Sequence, residues 1–156
     1  MKYLSIAFLF TVISCIAFSC LKSNDQGCQS MAPETEEPQM KAFCSSHNIN
    51  YTRLSNSLYY QVVDSGYGAA PASQSVIKAT YTGTLLNGTT FDQTTTPVQM
   101  NMPDLIEGWR QGLPLVKKGG RILLIIPSYL GYGCTAQKGI PANSVLYFDI
   151  KLTDVQ

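Results

Sequence analysis

Histidine is almost absent: His47 is the only one in 156 residues. A single imidazole, read here at a helix end on the surface, argues against both a Ser/His/Asp site and a histidine-based metal site. Charge is also scarce, 13% of residues, with 11 Lys plus Arg against 10 Asp plus Glu. A nucleic-acid-binding protein needs a positive excess to neutralise phosphates, so that class is set aside. The sequence contains no GxSxG, no GxxxxGK[ST] and no CxxC, and its scattered carboxylates give no paired acid/base site. No apolar run reaches the roughly 20 residues of a membrane-spanning helix. If the chain is an enzyme, it works with no nucleophile, no metal and no cofactor.

The longest apolar run lies at the start. Lys2 precedes Tyr3–Phe18, uncharged throughout, which has the length of a signal-peptide core. It ends in Ala17-Phe18-Ser19-Cys20, which resembles a bacterial lipobox with Cys20 as the lipidated residue. Phe18 is larger than the commonest residue at its position. Val12-Ile13-Ser14-Cys15 is a weaker candidate, and a plain secretory signal or an uncleaved anchor is the plainer alternative. The expected division is 1–19 signal peptide, 20–50 lipidated tether with a helix, and 51–156 the folded domain. The expected location is the cell envelope, lipid-anchored. Leu21 after Cys20 favours the outer membrane. Export permits disulfides, and Cys28, Cys44 and Cys134 allow three pairings with one thiol left over.

Between 21 and 34 the chain is polar and reads as a tether. Thr35 is the expected cap of a helix running to about His47, with Glu36, Glu37 and Pro38 in its first turn and Asn48 as its stop. Met40, Phe43, Cys44 and His47 share one face at helical spacing. Beyond residue 51 the apolar period falls to two. Leu58–Val63, Ser75–Thr82, Arg121–Ile126 and Ser144–Thr153 read as strands. Val98–Met102 reads as a short one after Pro97. Asn87-Gly88 predicts a type I′ hairpin. Ile106–Val116, interrupted by Gly108, Gly112 and Pro114, admits only a short helix. Lys117-Lys118 with Arg121 reads as a solvated turn, and Asp64 and Asp104 as ordinary loop acids. Ser128–Asn143 is a loop long enough to suggest function. The sum is an α+β domain with an antiparallel sheet of about five strands.

Aromatic residues carry the remaining signal. Tyr81 lies in Tyr-Thr-Gly, Phe91 in Gly-Thr-Thr-Phe-Asp, Trp109 in Ile-Glu-Gly-Trp, Tyr132 in Leu-Gly-Tyr-Gly and Phe148 in Leu-Tyr-Phe-Asp. In this order, with Gly139-Ile140-Pro141 and a Gly-Gly pair before an apolar strand, residues 57–155 resemble the FKBP-type peptidyl-prolyl cis/trans isomerases. The lipobox and N-terminal helix resemble additions of exported bacterial members, notably of Bacteroidetes type.

The resemblance implies an FKBP-like fold: a half-open antiparallel sheet wrapped around a short helix, with an additional N-terminal helix. It implies a prolyl isomerase acting on proline-containing, exported polypeptides without cofactor or covalent intermediate. Trp109 would floor a pocket lined by Tyr81, Phe91, Phe148, Leu105 and Ile106. Val98 and Ile140 would complete the substrate-binding wall. The Tyr132 hydroxyl and the Ile106 N–H would donate to substrate carbonyls, and Asp92 would sit at the edge. Gln93-Thr94-Thr95-Thr96 offers no basic partner for Asp92, so any partner comes from elsewhere. Macrolides of the FK506 and rapamycin kind are expected to bind, more weakly than in the best-known members. A monomer is expected. The alternatives are a non-catalytic binding or chaperone lipoprotein on the same fold, and a surface adhesin with no pocket function.

Overall fold

The structure, a computed structural model, describes residues 27–156. The expected signal peptide over 1–19 and the expected lipidation at Cys20 lie outside the described residues. Among the described residues no helix is long and apolar enough to cross a membrane.

Six antiparallel strands form one sheet: β1 (Thr52–Arg53), β2 (Tyr59–Asp64), β3 (Val76–Leu85), β4 (Thr90–Asn101), β5 (Arg121–Ile126) and β6 (Leu146–Val155), in the order β1-β2-β5-β6-β3-β4. Two α-helices accompany them, α1 (Pro33–Ser46) and α2 (Glu107–Gly112), the latter extended by a 3-10 turn over Leu113–Leu115. The fold is α+β, with one strand more than the sequence suggests. β1 is two residues long, too short for any period to show.

The central strand β5 is apolar along nearly its whole length because both of its faces are covered. Ile122, Leu124 and Ile126 join the main core with Leu113, Phe148 and Ile150. Ile125, with Leu123 packed alongside, joins a second core with Met40, Phe43 and Cys44 of α1. Alternation along a strand sends successive side chains to opposite faces. Two helices, one on each face, therefore turn the usual alternating pattern into a continuous apolar run.

Helix α1 docks on the domain. It begins two residues before Thr35: Ala32 is the N-cap and Pro33 opens the first turn, a position where the missing N–H costs nothing. Thr35 sits inside that turn and donates its hydroxyl to the Ala32 carbonyl at 2.7 Å. Pro38 consequently lies inside the helix rather than in its first turn. Glu36, a first-turn acid, is fully buried. Asn48 does end the helix, at φ 54°. The Ile49 N–H reaches the Cys44 carbonyl at 2.9 Å and the Asn48 N–H the Ser45 carbonyl at 3.4 Å, the paired bonds of a Schellman motif. His47 is exposed, as expected, and stacks on Phe43 with ring centroids 4.0 Å apart.

The Asn87-Gly88 hairpin forms between β3 and β4 with a different turn. Gly88 has φ 87° while Asn87 is not in the left-handed region, and the Gly88 N–H bonds the Leu85 carbonyl at 2.9 Å. This is a three-residue loop with glycine in the left-handed bulge position. The Asn87 side chain accepts the Thr89 N–H at 3.0 Å, which holds that turn in place. Strand β4 also runs farther than expected. Thr90 to Asn101 is one strand through Pro97. It absorbs the proline at the sheet edge, where no ladder bond is lost.

The polar segment before α1 is anchored. Cys28 is bonded to Cys134, with Cα atoms 5.2 Å apart, and Cys44 is free and buried. Burial pushes the Cys44 thiol up to about 11.

Helix α2 lies close against β5 through its glycines. A Cβ on Gly108 would come within 2.5 Å of the Ile126 side chain, and one on Gly112 within 2.6 Å of Leu124. Alanine would add up to about 1 kcal/mol of helix propensity. We expect Gly108→Ala instead to destabilise the protein by about 1–3 kcal/mol through overpacking. Urea unfolding of parent and variant measures this; a variant as stable as the parent would refute the close-approach argument.

Candidate active site

One cleft of about 410 Å³ opens between the main core and the long loop. It lies within the range of small-ligand sites. Trp109, only 4% exposed, forms its base. The indole meets Tyr81 and Phe148 edge-to-face, both at 5.1 Å between centroids and 88° between planes. Phe91 meets Phe148 at 5.5 Å and 84°. Edge-to-face contact is the favoured geometry for aromatic rings and adds about 0.5–1.5 kcal/mol per pair beyond burial. The rings therefore form a mutually braced wall.

Local backbone features place each ring. Trp109 follows Gly108, whose missing side chain lets α2 settle onto Ile126. Phe91 stands at a register shift between β3 and β4, where Gly83 pairs with Asp92 but Thr84 pairs with Thr90. A bulge of this kind re-aims a side chain. Gly83 leaves room for the result: a Cβ there would lie 2.7 Å from both Phe148 and Phe91. The glycine of Tyr-Thr-Gly is thus demanded by ring packing.

Asp92 is exposed at the edge and accepts the Tyr81 hydroxyl at 2.6 Å. The partner that Gln93–Thr96 could not provide is thus a phenol eleven residues earlier in the chain. Burial first, then this hydrogen bond, then the Asp92 charge push the Tyr81 phenol from its ordinary 10 up to about 12. Burial chiefly, with the Asp92 charge, also raises Tyr132.

The structure gathers Tyr81, Phe91, Asp92, Leu105, Ile106, Trp109, Tyr132, Ile140 and Phe148 around this one cleft. Ile106 precedes α2 with extended backbone. Among the described residues its N–H has no acceptor. Tyr132 is 38% exposed, leaving its ring accessible from solvent. Val98 is the exception: it is 36% exposed and lies outside the lining, where Met100 stands instead. The reason is a second register shift. Ala79 pairs with Val98 but Tyr81 with Thr94, so the strand leaves the pocket wall there. Alternation puts Val98 and Met100 on the same face, so the sequence pattern does not separate them. Asp104, expected to be an ordinary loop acid, lines the rim together with Gln137 and Lys138. A 3-10 turn over Met102–Asp104 brings it there, and Asn101 donates to it at 2.8 Å. Lys118 and Arg121 are not merely solvated; they pair with Asp154 and Asp149, each at 2.6 Å.

A second, polar groove lies on the outer sheet face, over Arg121, Asp149 and Lys151. It shares Tyr81 with the first, but none of the other aromatic rings.

Comparison with known proteins finds relatives of this chain. The sequence profile described as FKBP-type peptidyl-prolyl cis-trans isomerase matches residues 68–153. The chain is 44% identical over 105 residues to the FKBP-type peptidyl-prolyl cis-trans isomerase FkpA of Escherichia coli strain K12, covering 65% of this chain and 39% of the relative. It is 43% identical over 122 residues to FkpA of Buchnera aphidicola from Acyrthosiphon pisum, covering 76% of this chain and 50% of the relative. The crystal structure of Escherichia coli FkpA superposes with a TM-score of 0.71 at 36% identity, covering 80% of this chain and 61% of that one. The chain therefore spans at most about half the length of these two curated relatives.

The Tyr81–Asp92 contact has a measurable consequence. Because folding raises the Tyr81 pKa, the native state holds its proton more tightly than the unfolded chain does. The associated stability is intact below pH 10 and is lost as pH rises from 10 through about 12. Phenolate absorbance, read as the difference between parent and Tyr81→Phe, should give a midpoint near 12. Asp92→Asn should lower that midpoint while burial keeps it above 10. An unmoved midpoint would show that Asp92 does not act on the phenol.

Proposed function

The chain belongs to the FKBP-type peptidyl-prolyl cis-trans isomerases, and from that premise we propose that it accelerates rotation about X-Pro bonds in exported polypeptides. The observation that carries this reading is the open cleft based on Trp109 and walled by Tyr81, Phe91 and Phe148.

The chemistry asks for no proton relay. Amide resonance holds the C–N bond planar against a barrier of about 18–20 kcal/mol, and X-Pro exchange takes roughly tens to hundreds of seconds unaided. At the twisted transition state resonance is lost and the carbonyl becomes less polar. A proline ring seated on Trp109 leaves water for an apolar aromatic wall, which favours the twisted amide over the planar one. The Tyr132 hydroxyl and the Ile106 N–H would hold the flanking carbonyls. Met100 replaces Val98 in the substrate wall. Asp92, engaged by Tyr81, would present its carboxylate at the edge near the rotating bond. A thousandfold acceleration requires only about 4 kcal/mol.

The proposed setting is the cell envelope. Cys20 after Ala17-Phe18-Ser19 supports a lipid anchor of the exported Bacteroidetes type, at the outer membrane. The Cys28–Cys134 disulfide supports export, since such bonds persist in oxidising compartments. The protein would act as a monomer on proline-containing clients, and macrolides of the FK506 and rapamycin kind would enter the same cleft.

A protease-free assay on a short Ala-Leu-Pro-Phe peptide tests the reading. The parent should accelerate exchange. Tyr132→Phe should lower kcat/KM several-fold, and Phe148→Ala at least tenfold, with circular dichroism reporting that each remains folded. No acceleration by the folded parent, across several residues before proline, would leave the non-catalytic binding protein as the surviving reading.

A further inference from the structure

The long loop 128–143 supplies four residues of the cleft: Tyr132, Gln137, Lys138 and Ile140. Its own backbone bonds join Gly131 and Gly133 to Ser128, Thr135 to Tyr132, Gln137 to Ile140 and Asn143 to Gly133. The segment that precedes and begins α1 completes them. Glu36, fully buried, accepts the Ser128 N–H through Oε2 at 2.9 Å. Its other oxygen, Oε1, has no partner among the described residues, nor has the buried Ser128 hydroxyl. Ser128 in turn accepts the Gly133 N–H at 2.8 Å, and Gly133 accepts the Asn143 N–H at 2.8 Å. Asn143, held at φ 56°, donates its side-chain amide to the Gln29 carbonyl at 3.2 Å and accepts the Met31 N–H at 3.4 Å. The Cys28–Cys134 bond closes the circuit.

From this circuit we infer that residues 28–36 form a strap that positions the substrate-holding loop, with Glu36 and the Cys28–Cys134 bond as its positioning residues. The inference rests on the isomerase reading for its kinetic consequence. Every loop residue that lines the cleft lies between Ser128 and Asn143, inside the circuit. A buried carboxyl group with one oxygen unpartnered among the described residues is costly to retain. Helix docking by Met40, Phe43 and Cys44 does not require it. What Glu36 does is satisfy the first N–H of the loop. Among the described residues no hydrogen bond joins the strap to Trp109, Tyr81 or Phe148, so loosening it should leave these rings in place. Only the fraction of molecules with the loop closed should fall. Apparent substrate affinity then falls by the same fraction, and the loss appears in KM rather than kcat.

The test uses the purified full chain with three substitutions: Glu36→Ala, Glu36→Gln and Cys28→Ser. Amide hydrogen exchange at Gly133 and Asn143 is read beside the kinetics. Glu36→Ala and Cys28→Ser should each exchange at least tenfold faster at these two amides and raise KM at least threefold, with kcat within twofold of the parent. Glu36→Gln keeps a carbonyl acceptor for Ser128 and should restore both readouts. If Cys28→Ser does not fold, the Ala and Gln pair at Glu36 decides alone. Unchanged protection of Gly133 and Asn143 in Glu36→Ala would overturn the inference. So would a loss confined to kcat, or a Gln variant as impaired as Ala. A folded parent with no turnover would defeat the isomerase reading, and the exchange results would still decide the strap.

Discussion

The close seating of α2 on β5 governs the rest of the molecule, and it depends on two side chains that are missing. Gly108 and Gly112 bring the helix within reach of Ile126 and Leu124, with no room for a Cβ. That approach fixes the depth of Trp109. The depth of Trp109 sets the height at which Tyr81 and Phe148 meet it edge-on. A short helix of six residues has little stability of its own. It exists because the sheet receives it, and the sheet receives it because glycines let it come close.

The same strand that seats α2 also seats α1, on its opposite face. Helices α2 and α1 are thus back to back across one layer of backbone. The outer face divides along its length. Near Ile125, Val145 and Tyr147 it is apolar and covered by α1. Near Arg121, Asp149 and Lys151 it is polar and open. The buried Glu36 and the Cys28–Cys134 bond extend the reach of α1 around the sheet edge to the loop over the cleft.

The cleft combines a dry base with a polar rim. The rings below have no charge to offer, while Asp92, Asp104 and Lys138 stand above them. Asp92 keeps its place through the Tyr81 phenol rather than through a cation. A phenol thus holds the carboxylate at the edge of the pocket. The division suits a reaction in which the reacting bond loses polarity while its flanking backbone stays hydrogen-bonded.

Local pattern determined a good deal. The shift of period near residue 51, the continuous apolar run of β5 and the hairpin glycine marked the strands and one turn. The aromatic motifs marked the cleft through the family they resemble, and Tyr81, Phe91, Trp109 and Tyr132 each sit near a glycine or bulge of their own segment. What only the tertiary structure decided were choices between distant segments. Val98 and Met100 are alike in type and share a face by alternation; the register shift beside Val98, between Ala79 and Tyr81, leaves Met100 in the wall and Val98 outside it. Asp104 became a rim residue through a 3-10 turn that no period announces. Cys134 chose Cys28 over Cys44 because α1 buries Cys44 in the second core. Glu36 read only as a first-turn acid, and its burial against the loop at Ser128 came from the tertiary structure. Sequence fixes periods and local turns, which depend on neighbours a few residues apart. Register, pairing and the burial of a single carboxylate depend on segments up to about a hundred residues apart, and these are settled only when the sheet closes.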